Sequence, residues 1–174
     1  RYIVITKERK MSELIELFEQ LVKIPSPSLG EINVSNKILE YAHSLGLNAY
    51  HDDYQNVIIK IPANSKDKMP LLLSAHMDVV GNSSIVNICY SDDKKLIETD
   101  KTRTMGADDK AGVAVALMVA KYVVEHPEIL HGGLEIVFTR DEETNMTGIN
   151  HVNFSDLESE NVLVLDSDSL GNFE

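Results

Sequence analysis

Leu71-Leu72-Leu73-Ser74-Ala75-His76-Met77-Asp78 is the stretch on which the fold turns. A short, almost wholly apolar run that passes at once into His-Met-Asp predicts a strand buried on both faces, with polar groups at its carboxyl end. Two later stretches have the same form. Leu134 to Thr139 runs into Asp141-Glu142-Glu143, and Asn161 to Leu165 runs into Asp166-Ser167-Asp168. Between them, Gly106-Ala107-Asp108-Asp109 opens a segment reaching Glu125, with Val113, Ala116, Leu117, Ala120 and Val124 on one helical side. Helices alternating with buried strands predict an α/β fold, a largely parallel sheet flanked by helices. In such sheets ligands gather beyond the carboxyl ends of the strands.

Upstream, Ser12 predicts the cap of a helix running to about Lys23, with Leu14, Leu17, Phe18 and Leu21 as its apolar face. Pro25, Pro27 and Gly30 break it. A second helix is expected over Ile32 to Leu45, with Val34, Ile38, Ala42 and Leu45 in register and Gly46 closing it. Leu47 to His51 and Asn56 to Ile61 read as strands, and Ile85 to Tyr90 with Lys95 to Glu98 as a hairpin around Ser91-Asp92-Asp93. Residues 1–10 read as a leader, an expression-derived segment or a first strand. Residues 11–174 read as one domain, with no repeat or linker.

Composition narrows the function. A formal charge of −12 opposes binding to a nucleic-acid backbone, which needs clustered Lys and Arg. No apolar run approaches the ~20 residues of a membrane span, and no signal-peptide pattern is legible. The single cysteine, Cys89, allows no intrachain disulfide and fits a reducing, cytoplasmic setting. Its alternating apolar surroundings predict plain packing.

Each acidic cluster taken singly reads as a helix cap or a solvated turn. Four at strand or helix termini of one small domain call for a common cause. Zinc takes imidazole nitrogen and carboxylate oxygen. His76 and Asp78, two apart in an extended chain, point to the same side. His76 can bind metal while Asp78 holds its other ring nitrogen, an arrangement that fixes the tautomer. Of the adjacent Glu142 and Glu143, one can bind metal while the other reaches a water. Three carboxylates, from Asp108, Glu143 and Asp166, match two divalent ions better than one.

SAHMDVV (74–80), GADDKAGVA (106–114), FTRDEE (138–143) with a following TG, and VLDSD (164–168) occur in this order. Together they resemble the co-catalytic zinc peptidase family of tripeptidase T, aminoacyl-histidine dipeptidase and the aminoacylases, with the tripeptidase T branch nearest. The resemblance runs from about Met11 to Glu174. It implies that two zinc ions serve hydrolysis of small peptides. His76, Asp108 and Asp166 would hold one zinc; Asp108 would bridge to the second, held also by Glu143. Glu142 would be the general base and Asp78 would support His76. Asp168 competes with Asp166 for its place. A cis peptide is implied at Asp108–Asp109, and a homodimer is the assembly implied for the full-length protein.

Members of that family run to roughly twice this length, with a lid or dimerisation domain and a second catalytic half that supplies a last zinc-binding His. His43, His51, His126, His131 and His151 lie in no matching motif. The expectation is therefore the first half of a zinc-peptidase catalytic domain, inactive alone. An N-acyl amino acid amidohydrolase or deacetylase of the same chemistry, and a non-catalytic scaffold domain, are the competing readings. Turnover of tripeptides against N-acyl amino acids separates the first, and zinc stoichiometry with an activity assay the second.

Overall fold

A computed structural model describes residues 7–81, 84–92 and 95–167. Residues 1–6, Asp93 and Asp168 lie outside the described residues, and with them the choice between Asp166 and Asp168. The chain forms α1 (Lys7–Val22), α2 (Ile32–Ser44), β1 (Asn48–His51), β2 (Val57–Ile61) and β3 (Leu71–His76). A hairpin of β4 (Ile88–Tyr90) and β5 (Ile97–Thr99) follows, then α3 (Ala107–Glu125), β6 (Leu134–Thr139), α4 (Glu142–Asn145), α5 (Thr147–His151) and β7 (Val162–Val164).

Five strands make one sheet in the order β1-β2-β6-β3-β7. β3 pairs in parallel with both β6 and β7, while β2 is antiparallel to β1 and to β6. Four of the five strands therefore run the same way and only β2 is reversed, which is the largely parallel sheet expected. Parallel pairing of β3 with β6 aligns His76 with Thr139, so their polar sequels leave the sheet side by side.

Side-chain alternation divides the sheet into two faces. Val57, Ile59, Leu73, Ala75, Ile136 and Phe138 join Leu17, Leu21, Val34, Ile38, Val113 and Leu117 in the main core, under α1, α2 and α3. Ile58, Leu72 and Val137 face the other way and meet Val152, Ile149 and Leu157. The main core buries most of the apolar positions read from periodicity, at ~25 cal/mol per Å² of apolar surface removed from water.

Four expectations need correction. Ser12 does not cap α1, which begins at Lys7 and thereby takes in part of the segment read as separate. Ser12 instead donates to Glu16 Oε1 one turn on, at 3.1 Å. Val124 is 38 % exposed rather than in the helix–sheet interface, because its neighbour Val123 takes the core-facing place in that turn of α3. β7 is buried on one face only. Leu163 packs on the core, but Val162 and Val164 are 53 % and 59 % exposed, because β7 is the outermost strand of the sheet. Cys89 is exposed, because β4 and β5 form a separate two-stranded ribbon with no sheet behind them. No helix among the described residues is long and apolar enough to cross a membrane.

Candidate metal centre

His76 ends β3 at 3 % exposure, and its two ring nitrogens meet opposite partners. Nδ1 lies 3.0 Å from the main-chain oxygen of Asp78 and 3.4 Å from its Oδ1. The expected support by Asp78 thus comes through its carbonyl as well as its carboxylate. Nε2 faces oxygen only: Asp108 Oδ1 at 2.9 Å, Asp166 Oδ2 at 3.7 Å and Glu142 Oε2 at 3.9 Å. Ligand atoms of His76, Asp108 and Glu143 lie within 4.8 Å of one another, as do those of His76, Asp109 and Asp166. The structure therefore brings together every site residue named from the sequence and adds Asp109.

The backbone separates the two neighbouring aspartates. Their peptide bond is cis, and both residues have non-helical dihedrals, so regular helix begins only at Lys110. Asp109 is 3 % exposed and turns inward, accepting from the His76 N–H at 3.2 Å and the Gly112 N–H at 3.0 Å. Asp108 points outward to Nε2 with its side chain 71 % exposed. Asp109 is thus engaged by main chain, while Asp108 turns its carboxylate to the imidazole. Gly112 is required where it stands: a Cβ there would come 2.3 Å from Asp109 Oδ1 and 2.7 Å from the Leu165 oxygen.

Asp78 organises the other side. Its side chain is fully buried and accepts from Ser28 Oγ at 2.7 Å, the Glu142 N–H at 2.9 Å and the Glu143 N–H at 3.1 Å. Burial alone would raise its pKa, but His76, Ser28 and those two amides together hold it down to about 2. Burial likewise disfavours the imidazolium of His76, yet Asp78, Asp109 and Asp108 around it carry its pKa up to about 10. Desolvation, then the charge of Asp108, raises Glu143. Burial, with the charge of Asp166 adding and that of His76 opposing, pushes Asp109 up to about 7. A protonated imidazole among carboxylates is what a cation site looks like when a proton supplies the positive charge, and its nitrogen and oxygen donors are those zinc accepts.

That proton gives a measurable expectation. Near neutral pH His76 is protonated before metal arrives, and metal at Nε2 displaces the proton. Binding of the zinc held by His76 should therefore release about one proton from this residue. Calorimetry in buffers of different ionisation enthalpy measures it. Heat that does not change with buffer would show that the imidazole is already neutral.

Several positioning groups were not legible in the sequence. Lys110, 1 % exposed, sends Nζ to the Leu21 and Ile24 carbonyls at 3.1 and 2.6 Å, tying the end of α1 to the start of α3. Asn56 accepts from the Arg140 N–H at 3.2 Å and donates to the Gly148 carbonyl at 2.9 Å. A Cβ on Gly148 would come 2.2 Å from the Arg140 oxygen, which accounts for the glycine after the Glu pair. The remaining histidines stand elsewhere. His43 contacts the Ala49 oxygen, His51 contacts Ser35, His126 contacts Glu128, His131 accepts from the Gly133 N–H, and His151 stacks on Tyr54. Among the described residues, His76 is the only histidine in a metal-competent group.

Residues 56–174, from the start of β2 through the whole constellation, match the model of peptidase family M28. The chain belongs to this family. The residues matched to peptidase family M28 include all four polar clusters. Among curated proteins the chain is 30 % identical to a peptidase T from Halothermothrix orenii, over 76 % of this chain and 43 % of that protein. Among solved structures it superposes on a tripeptidase from Staphylococcus aureus with a TM-score of 0.83 and 28 % identity, covering 91 % of this chain and 44 % of that one. It superposes on aminoacylhistidine dipeptidase from Vibrio alginolyticus with a TM-score of 0.80 and 27 % identity, covering 98 % and 35 %. The M28 chain spans less than half the length of each of these relatives.

Proposed function

We propose that this chain supplies the first part of the catalytic domain of a zinc-dependent exopeptidase that hydrolyses small peptides. The observation that carries the reading is His76 Nε2, buried at the end of β3 and surrounded by Asp108, Asp166 and Glu142 oxygens within 3.9 Å. His76, Asp108 and Asp166 would hold one zinc, and Asp108 with Glu143 part of a second. Zinc at such a centre supplies Lewis acidity and lowers the pKa of a bound water toward ~7.

The chain's own residues divide the remaining work. Glu142 accepts the proton of the attacking water and returns it to the leaving amine. Asp78 keeps Nδ1 of His76 engaged, so that Nε2 stays turned toward the ligand side. Through the Glu142 and Glu143 amides the same carboxylate fixes where both glutamates begin. The second zinc has only two carboxylates from the described residues, fewer than the three protein ligands zinc sites normally use. A histidine from the part of the relatives that extends beyond this chain would complete it. The same part would carry a lid or dimerisation domain and make the assembled protein a homodimer. A cytoplasmic setting fits the single, exposed Cys89.

Small peptides are favoured over N-acyl amino acids by the tripeptidase and dipeptidase relatives. In a chain extended to the length of its peptidase T relatives, tripeptide turnover should exceed N-acyl amino acid turnover at least about tenfold in kcat/KM, roughly 1.4 kcal/mol in the barrier. The reverse preference would make the protein an amidohydrolase of acylated amino acids.

A further inference from the structure

Glu31 is 2 % exposed, at the end of the loop between α1 and α2, far in sequence from every motif above. Its Oε1 accepts from the Leu29 N–H at 2.8 Å and from the Asp141 N–H at 3.0 Å. Its Oε2 accepts from Arg140 Nε at 3.2 Å and pairs with Nη2 at 3.1 Å. We infer that Glu31 is a positioning residue: it fixes the direction in which the Glu142–Glu143 turn leaves β6, and so sets the ligand geometry at the metal centre.

The turn explains why it needs such a residue. Asp141 lies between β6 and Glu142 in the left-handed region, at φ 55° and ψ 40°, and is 1 % exposed. The hydroxyls of Thr144 and Thr147 take its carboxylate. Its buried N–H needs an acceptor, and Glu31 provides one. The next two amides, of Glu142 and Glu143, end on Asp78 at 2.9 and 3.1 Å. Three consecutive amides therefore rest on two buried carboxylates. Both carboxylates are fastened to one loop, Asp78 through Ser28 Oγ and Glu31 through its own position in the chain. These bonds are directional, and they hold the turn where packing alone would not.

A different account would give Glu31 only a structural charge, pairing Arg140. The two differ in what they require. The clamp needs reach, an acceptor atom that spans from Leu29 to Asp141. The ion pair needs charge. Glu31→Gln keeps reach and loses charge; Glu31→Asp keeps charge and loses a methylene of reach. Gln keeps Oε1 for the Leu29 and Asp141 amides and turns its own amide nitrogen toward Arg140, so its cost falls on the ion pair; Asp keeps the charge and draws back from the amides.

The inference rests on the metal-centre reading, so the test uses two readouts on the 174-residue chain. Cobalt(II) is titrated and followed by its visible absorption, and amide exchange is measured at Asp141 without metal. Glu31→Gln should bind cobalt within about threefold of wild type. Glu31→Asp should bind about tenfold or more weakly, the scale of lost outer-shell support, with an altered spectrum and Asp141 exchange at least about tenfold faster. Wild-type behaviour in Glu31→Asp, or the larger loss in Glu31→Gln, would overturn the inference. If wild type gives no cobalt spectrum that depends on His76, the metal reading falls, and exchange at Asp141 still decides whether Glu31 clamps the turn.

Discussion

Glu142→Ala, in a chain extended to the length of its peptidase T relatives, is expected to lower peptide turnover about 10³-fold while bound zinc stays at the wild-type level. General acid–base groups contribute ~10²- to 10⁴-fold, and this one is asked to move a proton twice. The expectation follows from separated roles. Glu143 shares the 4.8 Å ligand cluster with His76 and Asp108, whereas Glu142 stands 3.9 Å from His76 Nε2, beside the ligands. Among the described residues the turn is held by the Glu142 amide, which donates to Asp78, and alanine keeps that amide. Steady-state kinetics beside metal analysis of the same sample reads both quantities. Zinc lost in proportion to activity would make Glu142 a ligand and exchange the two glutamate roles.

Asp78→Asn is expected to damage both stability and metal binding. Asparagine has the right shape, but it offers one acceptor where three donors and the imidazole converge, and its amide hydrogens oppose whichever donors remain. Breaking a buried, charge-assisted network costs about 3 kcal/mol, and loss of the support behind His76 should weaken zinc about 10- to 100-fold. The pH dependence has a definite sign. The folded pKa of Asp78 is held down to about 2, below the ~3.9 of an unfolded aspartate, so its contribution is complete above pH ~4 and is lost as pH falls through about 2. Urea unfolding should therefore separate wild type from Asp78→Asn at neutral and mildly acidic pH and bring them together only in strong acid. A gap that closes between pH ~6 and ~5 would place the stabilising charge on another group.

The parts of this molecule that the sequence displays are those whose signal is local. β3 and β6 are long apolar runs flanked by polar clusters, and parallel pairing sets those clusters side by side. α2 and α3 show their buried stripes at helical spacing. β7 has the same apolar composition but stands at the sheet's edge, and edge position is a property of the whole sheet, invisible in five residues. The exposure of Cys89 has the same origin, because alternation looks identical in a ribbon and in a packed sheet. The candidate ligand clusters were legible because metal chemistry restricts residue types so sharply. Their supports were not. Glu31 and Asp141 lie 110 positions apart, Ser28 and Asp78 lie 50 apart, and no periodicity links them. The different fates of Asp108 and Asp109 depend on the backbone between them, which no pair of identical letters can disclose.

The most direct test of the metal centre is a zinc titration of the 174-residue chain against a competing chelator, with tripeptide hydrolysis followed in the same samples. On the proposed reading His76, Asp108 and Asp166 would give one site three protein ligands, while Asp108 and Glu143 would give the other only two. The account predicts one tightly held zinc that disappears in His76→Ala, a second bound weakly, and no tripeptide turnover. Two tight zinc ions with turnover, or tight zinc that survives His76→Ala, would contradict it.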